Sequence, residues 1–190
     1  MRMDKLIKKV SAVCFLIFIV MTSISFAASP ADFSFKGLSL GDSVAQMQEK
    51  LGEPDFDTEM YHRGVPVIRY TYSADQKIYV SAADKKVVEI FCKSKHYVGP
   101  KGVTYGATRA GITDAFGTAE HKQLDGSIYY VFTNPSNKKA KMLLELETEK
   151  YYLLSWTYTT LPLDAEEILD IHDDEPVDRK PAPKFNYGGL

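Results

Sequence analysis

The feature that most constrains the fold is a self-similarity at an offset of 65 residues. Gly37-Leu38-Ser39-Leu40-Gly41-Asp42-Ser43 lies on Gly102-Val103-Thr104-Tyr105-Gly106-Ala107-Thr108, and the match continues as Ala45 on Ala110, Met47 on Ile112, Leu51 on Phe116 and Gly52 on Gly117. Farther along, Asp84-Lys85 falls on Glu149-Lys150 and Phe91 on Trp156 with the offset unchanged. A fixed period of this kind signals a duplicated supersecondary unit.

Each copy opens with helix signals. Ser43 is placed to cap a helix near 43–51, with Gln46 completing a capping box, and Thr108 is the matching cap for a helix near 108–116. Val44, Met47 and Leu51 form one apolar stripe, and Ile112, Ala115 and Phe116 form the other. Gly52 and Gly117 stand where a helix turns out, and Pro54 prevents the first helix from continuing. The period then changes to alternation, which predicts strands over Val65–Tyr72, Lys77–Ala82, Val87–Cys92, Ser127–Thr133, Ala140–Glu147 and Tyr151–Tyr158. Short edge strands are expected around Phe56 and Lys122.

The ends of the chain read differently. Arg2, Lys5, Lys8 and Lys9 precede the apolar run Val10–Ile24 and then Ser25-Phe26-Ala27-Ala28, the pattern of a secretory signal with cleavage after Ala27. An uncleaved anchor is the alternative, and either places the remainder outside the cytoplasm. Cys14 leaves with the signal, so Cys92 stands alone in the mature chain and stability has to come from a core. Lysine and arginine number 23 against 25 acids in the 190 residues, a balance that offers nothing to a nucleic-acid backbone. Residues 162–190 hold eight acids and three bases and read as an acidic tail, largely disordered beyond a possible short helix before Asp174.

The spacing Gly, apolar, small, apolar, Gly, any, Ser or Thr, then a short helix ending Leu-Gly-x-Pro and an antiparallel sheet, resembles the beta-lactamase-inhibitor-protein-like and BamE (SmpA/OmlA) group. Gly37, Gly41, Ser43, Gly52 and Pro54 carry it in the first copy, and Gly102, Gly106, Thr108 and Gly117 in the second, where Ala119 replaces the proline. The resemblance implies an α+β fold of two tandem helix-plus-antiparallel-sheet repeats, possibly sharing one curved sheet, in an extracytoplasmic binding module. Repeat one is taken as residues 28–97 and repeat two as 98–161.

No hydrolase elbow, phosphate loop, zinc motif or Cys-x-x-Cys is present, and no cofactor or metal is expected. Cys92 beside His62, His96 or His121 is the one conceivable nucleophilic site, against the reading of a packed strand thiol. Asp170, His172, Asp173, Asp174 and Glu175 lack a calcium-loop framework and read as solvated charge, as do Glu53, Asp55, Asp57 and Glu59. Aromatic residues offer more. Tyr129, Tyr152, Trp156 and Tyr158 are placed on one sheet face, opposite Tyr130 and Leu153, as a surface for a protein partner. The expected function is therefore non-catalytic protein binding outside the cytoplasm, without nucleic acid and with membrane contact only through a retained signal. Inhibition of an exported enzyme by the Met60-Tyr61-His62-Arg63-Gly64 segment is the alternative.

Overall fold

A computed structural model of the chain describes residues 27–164. The signal sequence ahead of Ala27, and Asp170, His172, Asp173, Asp174 and Glu175, lie outside the described residues. The described chain opens with a hairpin of β1 (Ser34–Phe35) and β2 (Leu38–Ser39), turned by Lys36 and Gly37, both with positive φ. Helix α1 (Val44–Leu51) follows, and the Ser43 hydroxyl accepts from the Gln46 N–H while the Gln46 amide oxygen accepts from the Ser43 N–H at 2.9 Å. Four strands come next: β3 (Phe56–His62), β4 (Val65–Ser73), β5 (Gln76–Ser81) and β6 (Val87–Cys92). Helix α2 (Arg109–Phe116) is capped by Thr108 and precedes β7 (Glu120–Leu124), β8 (Ser127–Asn134), β9 (Asn137–Leu146) and β10 (Leu153–Thr159).

These elements do not make two helix-plus-sheet repeats. The chain is mostly strand, and β3 to β10 form one eight-stranded antiparallel sheet in the order β3-β4-β5-β6-β10-β9-β8-β7. The correction has a simple cause. Each run of four strands would expose an edge at its last strand, and β6 and β10 satisfy those edges by pairing with each other, Trp156 opposite Cys92 and Tyr158 opposite Ile90. Local pattern reveals strands but not which edges meet, and the α+β reading gave the two eight-residue helices more weight than they carry.

Both helices, the β1–β2 hairpin and the segment around Tyr97 and Val103 cover one face of this sheet. That helix face receives Ile78 and Val80 from β5, Ile90 and Cys92 from β6, Met142 and Leu144 from β9, and Trp156 and Tyr158 from β10, packed against Met47, Ile112 and Phe116. Aromatic rings occupy its centre. Tyr97 meets Phe35 at 4.8 Å between ring centroids and Trp156 edge-on at 5.1 Å, and its hydroxyl lies 3.3 Å from that of Tyr158. Gly99 is required by this packing, because a Cβ there would stand 2.7 Å from Trp156 Nε1 and 3.0 Å from the Val103 carbonyl oxygen.

Trp156 sits where strand pairing and helix packing coincide, so its truncation opens a large cavity. Trp156→Ala is expected to lower the free energy of unfolding by about 3–5 kcal/mol, and Gly99→Ala by about 1–3 kcal/mol through overpacking. Urea titration followed by circular dichroism reads both, and a Trp156→Ala loss no larger than that of a surface substitution would contradict the packing.

Candidate functional site: a charged row on the second sheet face

The face turned away from the helices carries polar and charged side chains in its centre. Cross-strand register aligns Thr58, Arg69, Tyr79, Glu89, Thr159, Lys141 and Thr133 in one row over seven strands. Glu89 is 3% exposed, Thr159 wholly buried and Tyr79 8% exposed. Leu163 returns to this face and packs on Val131 and Leu143, and Asp164 accepts from Lys122 Nζ at 3.0 Å.

The β3–β4 hairpin supplies the partners of Glu89. Arg63 and Gly64 form its two-residue turn with φ of 50° and 77°, the pairing of positive values that suits a hairpin of right-handed twist. Arginine in that conformation costs roughly 1 kcal/mol relative to glycine. The cost is offset where the side chain goes: Arg63 Nε lies 3.3 Å from Glu89 Oε2, and His62 Nε2 lies 2.7 Å from Glu89 Oε1. The arginine contact is an ion pair without hydrogen-bond alignment, so Arg63 Nε and Glu89 Oε2 are both buried without a hydrogen-bond partner. His62 also stacks on Tyr79, ring centroids 4.2 Å apart and 13° from parallel.

Arg63 reaches beyond Glu89. Its charge is felt at the phenol of Tyr129 on β8, five strand positions from β4 and therefore about 24 Å away in a flat sheet. The tip of the β3–β4 hairpin thus folds over this face and makes it concave. A second carboxylate lies within the curl, since Glu145 accepts from Ser155 Oγ at 2.7 Å and Ser127 Oγ at 3.2 Å and stands across from Tyr129. Burial raises the Tyr79 phenol above its ordinary value and Glu89 adds to the rise, with Arg69 and Arg63 opposing it. Burial and then Glu145 raise Tyr129 in the same way.

The aromatic surface expected from the sequence is corrected by these positions. Trp156 and Tyr158 are 0% exposed and lie on the helix face with Tyr130 and Leu153, while Tyr129 lies half-buried on the concave face. Tyr152, half-buried, precedes a bulge between Leu153 and Ser155 and approaches Tyr105 at 6.5 Å. Alternation along one strand carries over to its neighbour only through register, and the bulge shifts the count within β10 itself. Of the hairpin residues, Tyr61 is 77% exposed, whereas His62 and Arg63 turn inward to Glu89. Glu89, Arg69 and Tyr79 did not emerge from sequence reasoning, although a lone acid inside Val87-Val88-Glu89-Ile90-Phe91-Cys92 and a lone arginine inside Val67-Ile68-Arg69-Tyr70 were visible signals.

Cys92 lies on the helix face, and burial pushes its thiol upward. It lines a cavity of about 150 Å³ together with His96. His62 is on the opposite face, and His121 is on β7, four strand positions away and stacked on Tyr130 at 4.5 Å. Glu53, Asp55, Asp57 and Glu59 are all exposed. Among the described residues no group of three histidine, cysteine or acidic side chains is placed to hold a metal, and no helix is long and apolar enough to cross a membrane.

No protein-family model matches the chain, and no curated protein matches it in sequence. Among solved structures it is similar to an extracellular protein containing an SCP domain from Bacillus anthracis str. Ames, at 15% identity over 68% of this chain and 45% of that one, TM-score 0.45. It is also similar to a DUF4309 family protein, YjgB, from Bacillus subtilis subsp. subtilis str. 168, at 14% identity over 65% of this chain and 82% of that one, TM-score 0.45. A third is a cysteine-rich secretory protein from Staphylococcus aureus subsp. aureus Mu50, at 14% identity over 70% and 47%, TM-score 0.42. The chain thus spans less than half the length of the first and third of these proteins. No family model upholds the resemblance to the beta-lactamase-inhibitor-protein-like and BamE group drawn from the glycine spacing, and the single eight-stranded sheet is not the two helix-plus-sheet repeats it implied; those glycines mark turns and helix ends that many folds need.

Removing the central carboxylate should show in stability. Glu89→Ala leaves His62 and Arg63 facing each other without an anion, and a loss of roughly 1–3 kcal/mol is expected in chemical denaturation. Alkaline pH tests the buried phenols. Burial, followed by the charge of Glu53, pushes Tyr72 up to about 12, and its hydroxyl donates to the Gly52 carbonyl oxygen at 3.0 Å. Above pH about 10 the unfolded chain releases phenolic protons that the folded chain retains, so stability declines as pH rises from there toward 12. Tyr72→Phe should lessen the slope in that window, read from melting temperature against pH.

Proposed function

We propose that the chain is an exported, non-catalytic protein-binding module that engages an extracytoplasmic protein through the tip of its β3–β4 hairpin. The observation that carries this reading is Tyr61, 77% exposed beside a turn whose two inward side chains, His62 and Arg63, are tied to a buried carboxylate. A large aromatic ring held out on an anchored hairpin buries much area on contact and loses little conformational freedom in doing so. The basic start, apolar run and small residues of Met1–Ala28 support export.

The same hairpin supports a second, narrower reading, inhibition of an exported enzyme, because a two-residue turn presents a thin convex tip that suits an active-site cleft. Both rest on Tyr61. A photo-reactive phenylalanine analogue at position 61 is expected to cross-link the full chain to one protein in the envelope or culture fraction of the producing cell. Tyr61→Ala should keep the unfolding midpoint and lose about thirtyfold in affinity for that protein, the consequence of about 2 kcal/mol at an interface hot spot. Unchanged affinity would overturn the hairpin as the contact.

A further inference from the structure

The outer edge of β3 is an open and regular ladder. β3 pairs with β4 from Phe56 opposite Thr71 to His62 opposite Val65 without a bulge, and among the described residues no strand pairs with its other side. The two-residue turn makes His62 and Val65 a hydrogen-bonded pair, and Met60 and Thr58 repeat that pairing at every second position. The backbone N–H and C=O groups of Asp57, Glu59 and Tyr61 therefore point outward, away from β4. Terminal strands are ordinarily shielded by a bulge, a proline, a short length or a covering segment. The opposite edge has such protection, since β7 runs only over Glu120–Leu124 and its Lys122 is held by Asp164. Over its seven residues β3 has none of these among the described residues, and Phe56, Asp57, Thr58, Glu59 and Tyr61 are exposed.

Charge decides what such an edge accepts. Thr58 lies in the row on the concave face, so Asp57, Glu59 and Tyr61 project from the other side of β3, where the charge of Asp57 is felt at Tyr70. Among the described residues none of Asp55, Asp57 and Glu59 has an ion pair. Carboxylates at alternate positions of a strand, about 7 Å apart, repel the acidic β3 of a second copy and attract lysine or arginine at alternate positions of an incoming strand. We propose that β3 is a docking edge for an extended segment of another protein, which adds to the sheet as a further strand and sets alternate basic side chains opposite Asp57 and Glu59. The outward backbone groups supply the hydrogen bonds, and the two acids select a basic sequence. Because Tyr61 belongs to the same strand, the added segment rests on the protein partner proposed above and lies beside the hairpin tip.

The test is amide hydrogen exchange in the full ¹⁵N-labelled chain, with a capped synthetic peptide of alternating lysine and valine matched in length to β3. The expected result is exchange about tenfold slower at Asp57, Glu59 and Tyr61, with Thr58 and Met60 unchanged because their amides are already bonded to β4. A peptide alternating glutamate and valine, and the lysine peptide N-methylated along its backbone, are expected to give no slowing. Asp57→Asn combined with Glu59→Gln, both at exposed positions, should keep the melting temperature and lower the affinity for the lysine peptide about tenfold. No slowing with the lysine peptide overturns the docking edge. Equal slowing with the glutamate peptide overturns its preference for a basic sequence, and equal slowing with the N-methylated peptide overturns strand addition. Slowing that grows with the concentration of the chain alone gives the edge to a second copy, and slow exchange in the dilute free chain gives it to the chain itself; either result overturns the proposal. The peptide does not depend on the natural partner. Unchanged partner affinity in Tyr61→Ala therefore overturns the hairpin tip and leaves a positive peptide result standing, whereas loss of the partner in Tyr61→Ala without peptide protection overturns the docking edge alone.

Discussion

The pairing of β6 with β10 is the contact on which the rest of the structure depends. Without it the chain holds two four-stranded sheets, each with an inner edge of unsatisfied amide and carbonyl groups and each too narrow to support a common core. With it, Trp156 and Tyr158 come opposite Cys92 and Ile90, and side chains from both halves form one apolar layer under both helices. Backbone hydrogen bonding and aromatic packing thus reinforce each other at one seam, where removal of either weakens both.

The same seam produces the second face. A sheet of eight strands twists and curls, and once its helix side is closed the other side becomes a concavity whose middle is shielded from water. Charges there are strong because water does not screen them. That is why Glu89 can hold a hairpin tip from two strands away.

Local structure was legible in the sequence to a fair degree. Ser43 and Thr108 cap helices where their spacing indicated, and Val87–Cys92 is a strand from end to end. Pairing was not legible, because nothing in the alternation of β6 or β10 states that their free edges meet. Orientation failed for a related reason. The bulge between Leu153 and Ser155 reverses the parity of β10, so a count begun at Tyr152 assigns Trp156 to the wrong environment. Around the charged row, His62 and Arg63 stood out for their place in a turn, whereas Glu89 and Arg69, within the row, did not stand out from the strands that hold them. Glu89 is buried because the β3–β4 hairpin folds over it, a long-range contact that no short window contains.

The seam also decides where the sheet ends. With the inner edges joined, β3 and β7 are the terminal strands, and both carry charge: Asp57 and Glu59 on β3, Glu120 and Lys122 on β7, on either side of surfaces whose aromatic content would otherwise invite further pairing. Lengthwise polymerisation of such a sheet requires β3 of one molecule to accept a strand from another, which sets acid beside acid wherever two copies of β3 meet. The acidic run along β3 thereby opposes pairing with a second β3. It guards the strand that carries the exposed Tyr61 against pairing with its own copy.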